Sequence, residues 1–217
     1  MRHTFFLTSL LFLLTACQQV PELDYEAQKT ATFQKAAIAG PHPLATEVGL
    51  EVLQSGGNAI DAAVAVKLAM AVVYPRAGNL GGGGFLVYRD KDGAIDALDY
   101  RERAPAAADR DMYLDEQGDV VPGLSTRGHL AVGVPGAVAG MEAMHQKYGS
   151  MPWAELVKPA VRLASAGYRL SQAEVDRIKD YHEDFLEFNE YTPFSDSSVV
   201  EGTLVKQPDL ANTLKRI

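Results

Sequence analysis

Arg101 has the clearest capacity for specific chemistry in this sequence. It lies in the run Asp99-Tyr100-Arg101-Glu102, at the expected end of a strand. A guanidinium in that position can clamp a carboxylate with its planar fork, which gives two parallel hydrogen bonds and a fixed orientation. The same run is also the pattern of an exposed ion pair between Arg101 and its acidic neighbours, with no role beyond the surface. Upstream, four successive glycines, Gly81 to Gly84, lead into Phe85. They lack the Gly-Lys-Ser/Thr ending of a phosphate loop, and they feed a strand where a dinucleotide fingerprint would open a helix. Such a run costs backbone entropy, so the chain needs either positive φ or very close backbone approach there. The glycines either pack a hairpin tightly against a buried helix or form a wall beside a substrate or nucleophile.

No catalytic nucleophile can be assigned. Ser125 and Thr126 lie in a polar loop without a Gly-x-Ser-x-Gly elbow. His42, His129, His145 and His182 are scattered without metal-ligand spacing, and no Cys stands near them. The expectation is therefore no metal and no cofactor.

The elements that must position Arg101 follow from periodicity. His42-Pro43-Leu44-Ala45 opens a helix with Leu44, Val48, Val52 and Leu53 on one face, stopped by Gly56-Gly57. Asn58 then caps a second helix from Ala59 to about Val73, with Asp61 near its positive end. This helix is apolar nearly all round, which marks it as packed on several sides. Pro75 ends it. Phe85 to Arg89 and Ala94 to Tyr100 read as two strands joined at Asp92-Gly93. Leu130-Ala131-Val132 reads as a short strand. A helix follows from Pro135-Gly136 to Tyr148, and another begins at Pro152, where Pro159 predicts a kink or two short pieces. Ser171-Gln172-Ala173-Glu174 is a capping box starting a helix towards Phe188. Leu210, Leu214 and Ile217 mark a last helical face, and the sequence stops inside that pattern, as a truncated chain would. The coarse class is α+β or layered α/β, with helices predominating over one visible hairpin.

Composition narrows the functional classes. The 217 residues are 47% hydrophobic and 22% charged, with net charge −8, and the pI is near 5.1. No cluster of Lys and Arg stands out, which argues against nucleic acid as a partner. The N-terminus differs from the rest. Arg2 and His3 precede the apolar stretch Phe5 to Ala16, which runs directly into Cys17. As a helix it would span only about 18 Å against a hydrocarbon core of about 30 Å, so it reads as a signal segment rather than a membrane span. Leu14-Thr15-Ala16-Cys17 resembles a bacterial lipobox, in which the thiol of Cys17 accepts a lipid. Cys17 is the sole cysteine and can form no internal disulfide. The competing interpretation is a general secretory signal that happens to contain a Cys. The expected organisation is a signal peptide at 1–16, a tether at 17–35 and a domain at 36–217. The expected location is the periplasm, anchored to a bacterial membrane; Gln18 after Cys17 points to the outer one by analogy with known sorting.

Several segments, taken in order, resemble the γ-glutamyltransferase family. They are His42-Pro43-Leu44-Ala45, Gly56-Gly57-Asn58-Ala59-Ile60-Asp61-Ala62-Ala63-Val64-Ala65, Gly78-Asn79-Leu80-Gly81-Gly82-Gly83-Gly84-Phe85 and Leu98-Asp99-Tyr100-Arg101-Glu102. Ala104-Pro105, Gly133-Val134-Pro135-Gly136, Tyr148-Gly149, Pro159-Ala160 and Gln207-Pro208-Asp209-Leu210-Ala211 continue the set over about residues 36–217. The resemblance implies an N-terminal nucleophile hydrolase, an αββα sandwich made as a proenzyme that cuts itself in two. It implies attack by a newly exposed N-terminal Thr on the γ-glutamyl amide of glutathione and related compounds, then transfer of the acyl group to water, an amino acid or a peptide. It maps the family's α-carboxylate-binding Arg onto Arg101 and places the Thr nucleophile, the small subunit and the oxyanion donors beyond Ile217, so that the present chain alone would be inactive. The alternatives are a β-lactam (cephalosporin) acylase of the same fold, or a non-catalytic lipoprotein binding amino acids or peptides.

Overall fold

The computed structural model describes residues 32–189 and 192–217. Cys17, the apolar stretch before it and most of the tether lie outside the described residues.

Helix α1, Pro43–Gln54, starts after His42 in an extended conformation and buries Ala45, Val48, Gly49 and Val52. Its turn back is closed by the amides of Gly56 and Gly57, which bond the carbonyls of Leu53 and Val52. Helix α2, Ala59–Val73, is the centre of the core, packed on α1, α3 (Ala137–Tyr148) and α4 (Trp153–Ala166). Its Val64, Leu68, Ala69 and Val72 are fully buried, with Met141, Leu156 and Leu214 brought against them by neighbouring helices. This matches the nearly all-round apolar pattern, since a central helix is packed on several sides, although Ala59 and Ala63 stay exposed.

The ends of α2 are fixed by polar groups. Asn58 Oδ1 accepts the amides of Ile60 and Asp61, and Asp61 Oδ2 accepts the amide of Asn58 at 2.9 Å. Asp61 has no solvent exposure. Its carboxylate also takes the amides of Ser150 and Met151 and the Ser150 hydroxyl, which ties α2 to the turn between α3 and α4. Burial pushes the Asp61 carboxyl up, but these donors outweigh it and hold the group below the usual carboxylate range. At the other end, Gln207 Nε2 donates to the carbonyl of Val72 at 2.8 Å and secures α7, Pro208–Leu214.

Strands β1 (Phe85–Arg89) and β2 (Ile95–Asp99) form an antiparallel hairpin in which Val87 faces Ala97 and Phe85 faces Asp99. Gly93 takes φ 94° in the turn, a conformation that favours glycine. Leu86, Tyr88 and Tyr100 pack inward on the core. Tyr88 stacks on Tyr148 of α3 with ring centroids 4.4 Å apart. Lys147 and the Tyr148 hydroxyl bond Asp96 and hold its carboxyl down at about 2. The opposite face of the hairpin carries Phe85, Val87 and Ile95, exposed at 64, 80 and 73%.

Four details depart from the sequence reading. Leu130-Ala131-Val132 is not a strand, for a single 3-10 turn spans His129–Ala131 and Val132 and Leu130 are exposed. The antiparallel bridge in this stretch lies further on, between Val134 and Arg103. Of the kink or two short pieces expected at Pro159, the two pieces are not found: α4 is a single helix through Pro159, whose ring is buried. The lost amide leaves one carbonyl without its helical donor, and the packing of Leu156, Val157 and Ala160 holds the helix together. The helix towards Phe188 divides into α5, Gln172–Asp180, and α6, His182–Phe188. The buried stripe ends at Ile178, and α6 buries no residue, so no packing requires a straight continuation. A second strand pair also exists, with β3 (Tyr168–Arg169) antiparallel to β4 (Leu204–Val205). Each of its strands has only two residues, too few to show an alternating pattern.

Asp61→Asn tests the central tie. The amide would present donors to a site already filled with donors, and the expected loss is about 1–3 kcal/mol at pH 7. Because the folded carboxyl lies below its unfolded value, its contribution is complete above about pH 4 and fades as the pH falls through the folded value. Urea denaturation of both proteins from pH 7 down to pH 3 should therefore show the gap between them narrowing at the acid end.

Candidate functional site

The glycine run and Arg101 meet in space. A Cβ on Gly83 would lie 2.6 Å from the Cα of Arg101 and 2.7 Å from the carbonyl oxygen of Tyr100. One on Gly84 would meet the Tyr100 ring at 2.8 Å. From the other side, Gly136 and Gly140 at the start of α3 would each place a Cβ 2.2 Å from an atom of Tyr100. Gly82 completes the junction by accepting the amides of Gly136 and Ala137 through its carbonyl. Among Gly81 to Gly84 none has positive φ, so close approach is what requires glycine at Gly83 and Gly84. The packing reading of it holds. It packs the hairpin against α2 and α3, with Lys67 of α2 donating to the Gly83 carbonyl at 3.3 Å, and it forms the wall on which Arg101 sits.

Arg101 leaves this slot pointing outward, with its side chain 62% exposed. Its Nε bonds both carboxylate oxygens of Asp99, at 3.2 and 3.3 Å, and Nη2 donates to Oδ2 at 3.0 Å. The Asp99 carboxylate also accepts the amide of Arg101. These contacts hold Asp99 below the usual carboxylate range and raise Arg101 further. The guanidinium carbon lies 5.0 Å from the centre of the Phe85 ring. The exposed ion pair read from the sequence is thus made, and with Asp99 rather than Glu102. Burial of the Tyr100 ring pushes its hydroxyl up, and the ring anchors the segment.

The other candidates do not converge. His42 Nε2 pairs with Glu174 Oε1 at 3.2 Å and joins α1 to α5. His145 Nε2 bonds the Met151 carbonyl. His129 sits in the 3-10 turn and His182 begins α6. The Thr126 hydroxyl donates to the Gly123 carbonyl in the same polar loop that holds Ser125. Among the described residues, no group of three His, Cys, Asp or Glu is placed to hold a metal. Phe85 escaped the sequence reading as a partner of Arg101. Its signal was the hairpin register that sets Phe85 opposite Asp99.

A helix-rich layer on one face of a two-sided apolar hairpin, with glycines packed against a strand-end Arg, is the N-terminal nucleophile hydrolase architecture in part. The sequence profile of γ-glutamyltranspeptidase matches residues 45–217, and the chain belongs to that family. A glutathione hydrolase proenzyme of Pseudomonas sp. (strain A14) is 46% identical over 200 residues, covering 88% of this chain and 34% of the relative. The crystal structure of Helicobacter pylori γ-glutamyltranspeptidase superposes with a TM-score of 0.81 at 47% identity, covering 87% of this chain and 55% of that one. Cephalosporin acylase from Bacillus halodurans superposes with a TM-score of 0.67 at 25% identity, covering 91% of this chain and 39% of that one. The chain spans about a third of the length of the curated relatives it matches.

Gly83→Ala and Gly81→Ala separate close approach from loop flexibility. The first drives a methyl into the backbone of Arg101 and is expected to cost about 1–3 kcal/mol. The second meets only Asn79 Oδ1, at 3.5 Å, and should stay within about 0.5 kcal/mol of the parent in denaturant titrations.

Proposed function

We propose that the full-length protein is a γ-glutamyltransferase and glutathione hydrolase, and that this chain supplies the grip on the α-carboxylate of the γ-glutamyl group. The observation that carries the reading is Arg101, two residues beyond β2, on a backbone packed closely against Gly83 and Gly136. The nucleophile is a Thr beyond Ile217, freed as an N-terminus by self-cleavage. Its hydroxyl oxygen bonds the γ-carbonyl carbon while its own α-amine takes the proton. The amide C–N bond then breaks, the amine leaves with that proton, and water or an amino acid or peptide amine resolves the acyl-enzyme. Arg101 acts in binding: its charge and fork recognise the one carboxylate that every γ-glutamyl compound carries, whatever its leaving group.

The uncovered face of the hairpin supports a partner from the same protein. Phe85, Val87 and Ile95 form an apolar strip on a sheet whose other face is already packed. The small subunit made by self-cleavage is the proposed cover. No role is assigned to nucleic acid. In full-length enzyme, Arg101→Lys should raise KM for L-γ-glutamyl-p-nitroanilide by about tenfold or more, because a point-charge ammonium replaces a bidentate fork. An unchanged KM would remove Arg101 from the site. Faster release of acyl groups from a cephalosporin than from the γ-glutamyl anilide would assign the protein to the acylase branch.

Cys17 is proposed as the lipid attachment point that holds the enzyme at a membrane facing the periplasm, the outer membrane by the Gln18 analogy. The support is the lipobox-like Leu14-Thr15-Ala16-Cys17 after a short apolar stretch. Cys17→Ser should move the protein from the membrane fraction to the soluble periplasmic fraction, and should abolish incorporation of labelled palmitate.

A further inference from the structure

We propose that Asp99 is a positioning residue for Arg101: it holds the Nε–Nη2 edge of the guanidinium so that the opposite edge, Nη1 with the remaining Nη2 hydrogen, meets the substrate carboxylate end-on. The proposal rests on the reading of Arg101 as the carboxylate grip.

The geometry separates the two edges of the fork. A guanidinium has five N–H donors in a fixed plane, enough for two carboxylates approaching from different sides. Asp99 occupies one side through three contacts of 3.0 to 3.3 Å. Nη1 has no hydrogen-bond partner among the described residues. Asp99 is itself held, because its Oδ1 accepts the Arg101 amide at 3.0 Å and its backbone is the last residue of β2, in register with Phe85. The Phe85 ring lies beneath the guanidinium and limits rotation out of the plane. A long, flexible side chain is thereby ordered before substrate arrives, which reduces the entropy lost on binding. Asp99 thus stays paired when substrate binds, rather than being displaced by it.

A carboxylate beside the site also repels another carboxylate, so the two possible roles predict opposite signs. If Asp99 orients the fork, its loss weakens binding; if it competes for the fork, its loss strengthens binding. The test uses the full-length enzyme and two substrates that share the scissile anilide: L-γ-glutamyl-p-nitroanilide and 4-aminobutanoyl-p-nitroanilide, which lacks the α-carboxylate. Asp99→Asn keeps an acceptor for the Arg101 amide but removes the charge-assisted contacts. It should raise KM for the first substrate by roughly tenfold, with kcat within roughly twofold, and leave KM for the second substrate unchanged. In an Arg101→Lys background, the same change should add little, since both act through one contact. Phe85→Leu, which keeps apolar bulk but removes the ring face, should raise KM for the first substrate only, by a smaller factor, and keeps the question answerable should Asp99→Asn fail to mature. A lower KM in Asp99→Asn, or an equal rise for both substrates, would overturn the proposal. So would a normal KM in Asp99→Asn beside a raised KM in Arg101→Lys, and there the Arg101 assignment would survive. A normal KM in Arg101→Lys would remove both.

Discussion

Tyr100 lies in a slot whose walls are glycines: Gly84 on the hairpin side, and Gly136 and Gly140 on the side of α3. Side chains at these places would collide with its ring or backbone at distances that real contacts do not reach. The Tyr100 amide completes the strand by donating to the Gly84 carbonyl at 3.0 Å. The result is an aromatic residue clasped by backbone, with the backbone of the next residue, Arg101, packed against Gly83 and Gly136 and its side chain turned to solvent. Packing density is the constraint here, and hydrogen bonding adds to it. A strand end is ordinarily free to fray, whereas this one is closed on both sides.

The slot exists only if α3 is correctly placed, and α3 is held at both ends. Its first turn is tied to the glycine run by the Gly82 carbonyl, which takes two amides. Its last turn is tied to α2, because Asn58 Nδ2 donates to the Tyr148 carbonyl at 2.7 Å and Asp61 gathers the donors of Ser150 and Met151. Asp61 therefore serves two helices: it caps α2 and closes the turn after α3. A buried carboxylate is costly unless fully paired, and this one accepts from donors on both segments. The chain of dependence runs from the Asp61 carboxylate through α3 to the Tyr100 slot, and from there to Arg101.

How much of this could be read from residues alone depended on the range of the interaction. Local signals carried well. Asn58 with Asp61 marked a helix start, Asp92-Gly93 a hairpin turn, and the near-continuous apolar run from Ala59 to Val73 a central helix. Arg101 stood out as a candidate because a strand end and a resemblance pointed to the same residue. The readings that failed needed tertiary context. Pro159 disrupts a helix by local rules, yet packing keeps α4 whole; the helix after Ser171 breaks because the core beneath it stops. The close contacts of Gly136 and Gly140 with Tyr100 join segments more than thirty residues apart, and no periodicity reports them.

The hairpin also bears on how the grip would work. An antiparallel sheet with one wet face alternates apolar and polar residues, and a two-stranded hairpin is marginal by itself. Here the inward face carries Leu86, Tyr88 and Leu98, while the outward face carries Phe85, Val87, Ile95 and Ala97. Both faces are apolar, as in a sheet buried between two layers. Asp99 and Phe85 are cross-strand partners on that outward face, and Arg101, two residues further on, shares their parity. On the proposed reading, the layer that covers Val87 and Ile95 also approaches the Arg101–Asp99 pair and removes water from it. An ion pair that is weak when half exposed becomes a strong and directional element once water is excluded, provided its donors are all used. The second carboxylate needed to use them is the one on the substrate. A guanidinium that is over-supplied with donors when the site is empty, and satisfied only when it is filled, selects for ligands that bring a carboxylate of their own.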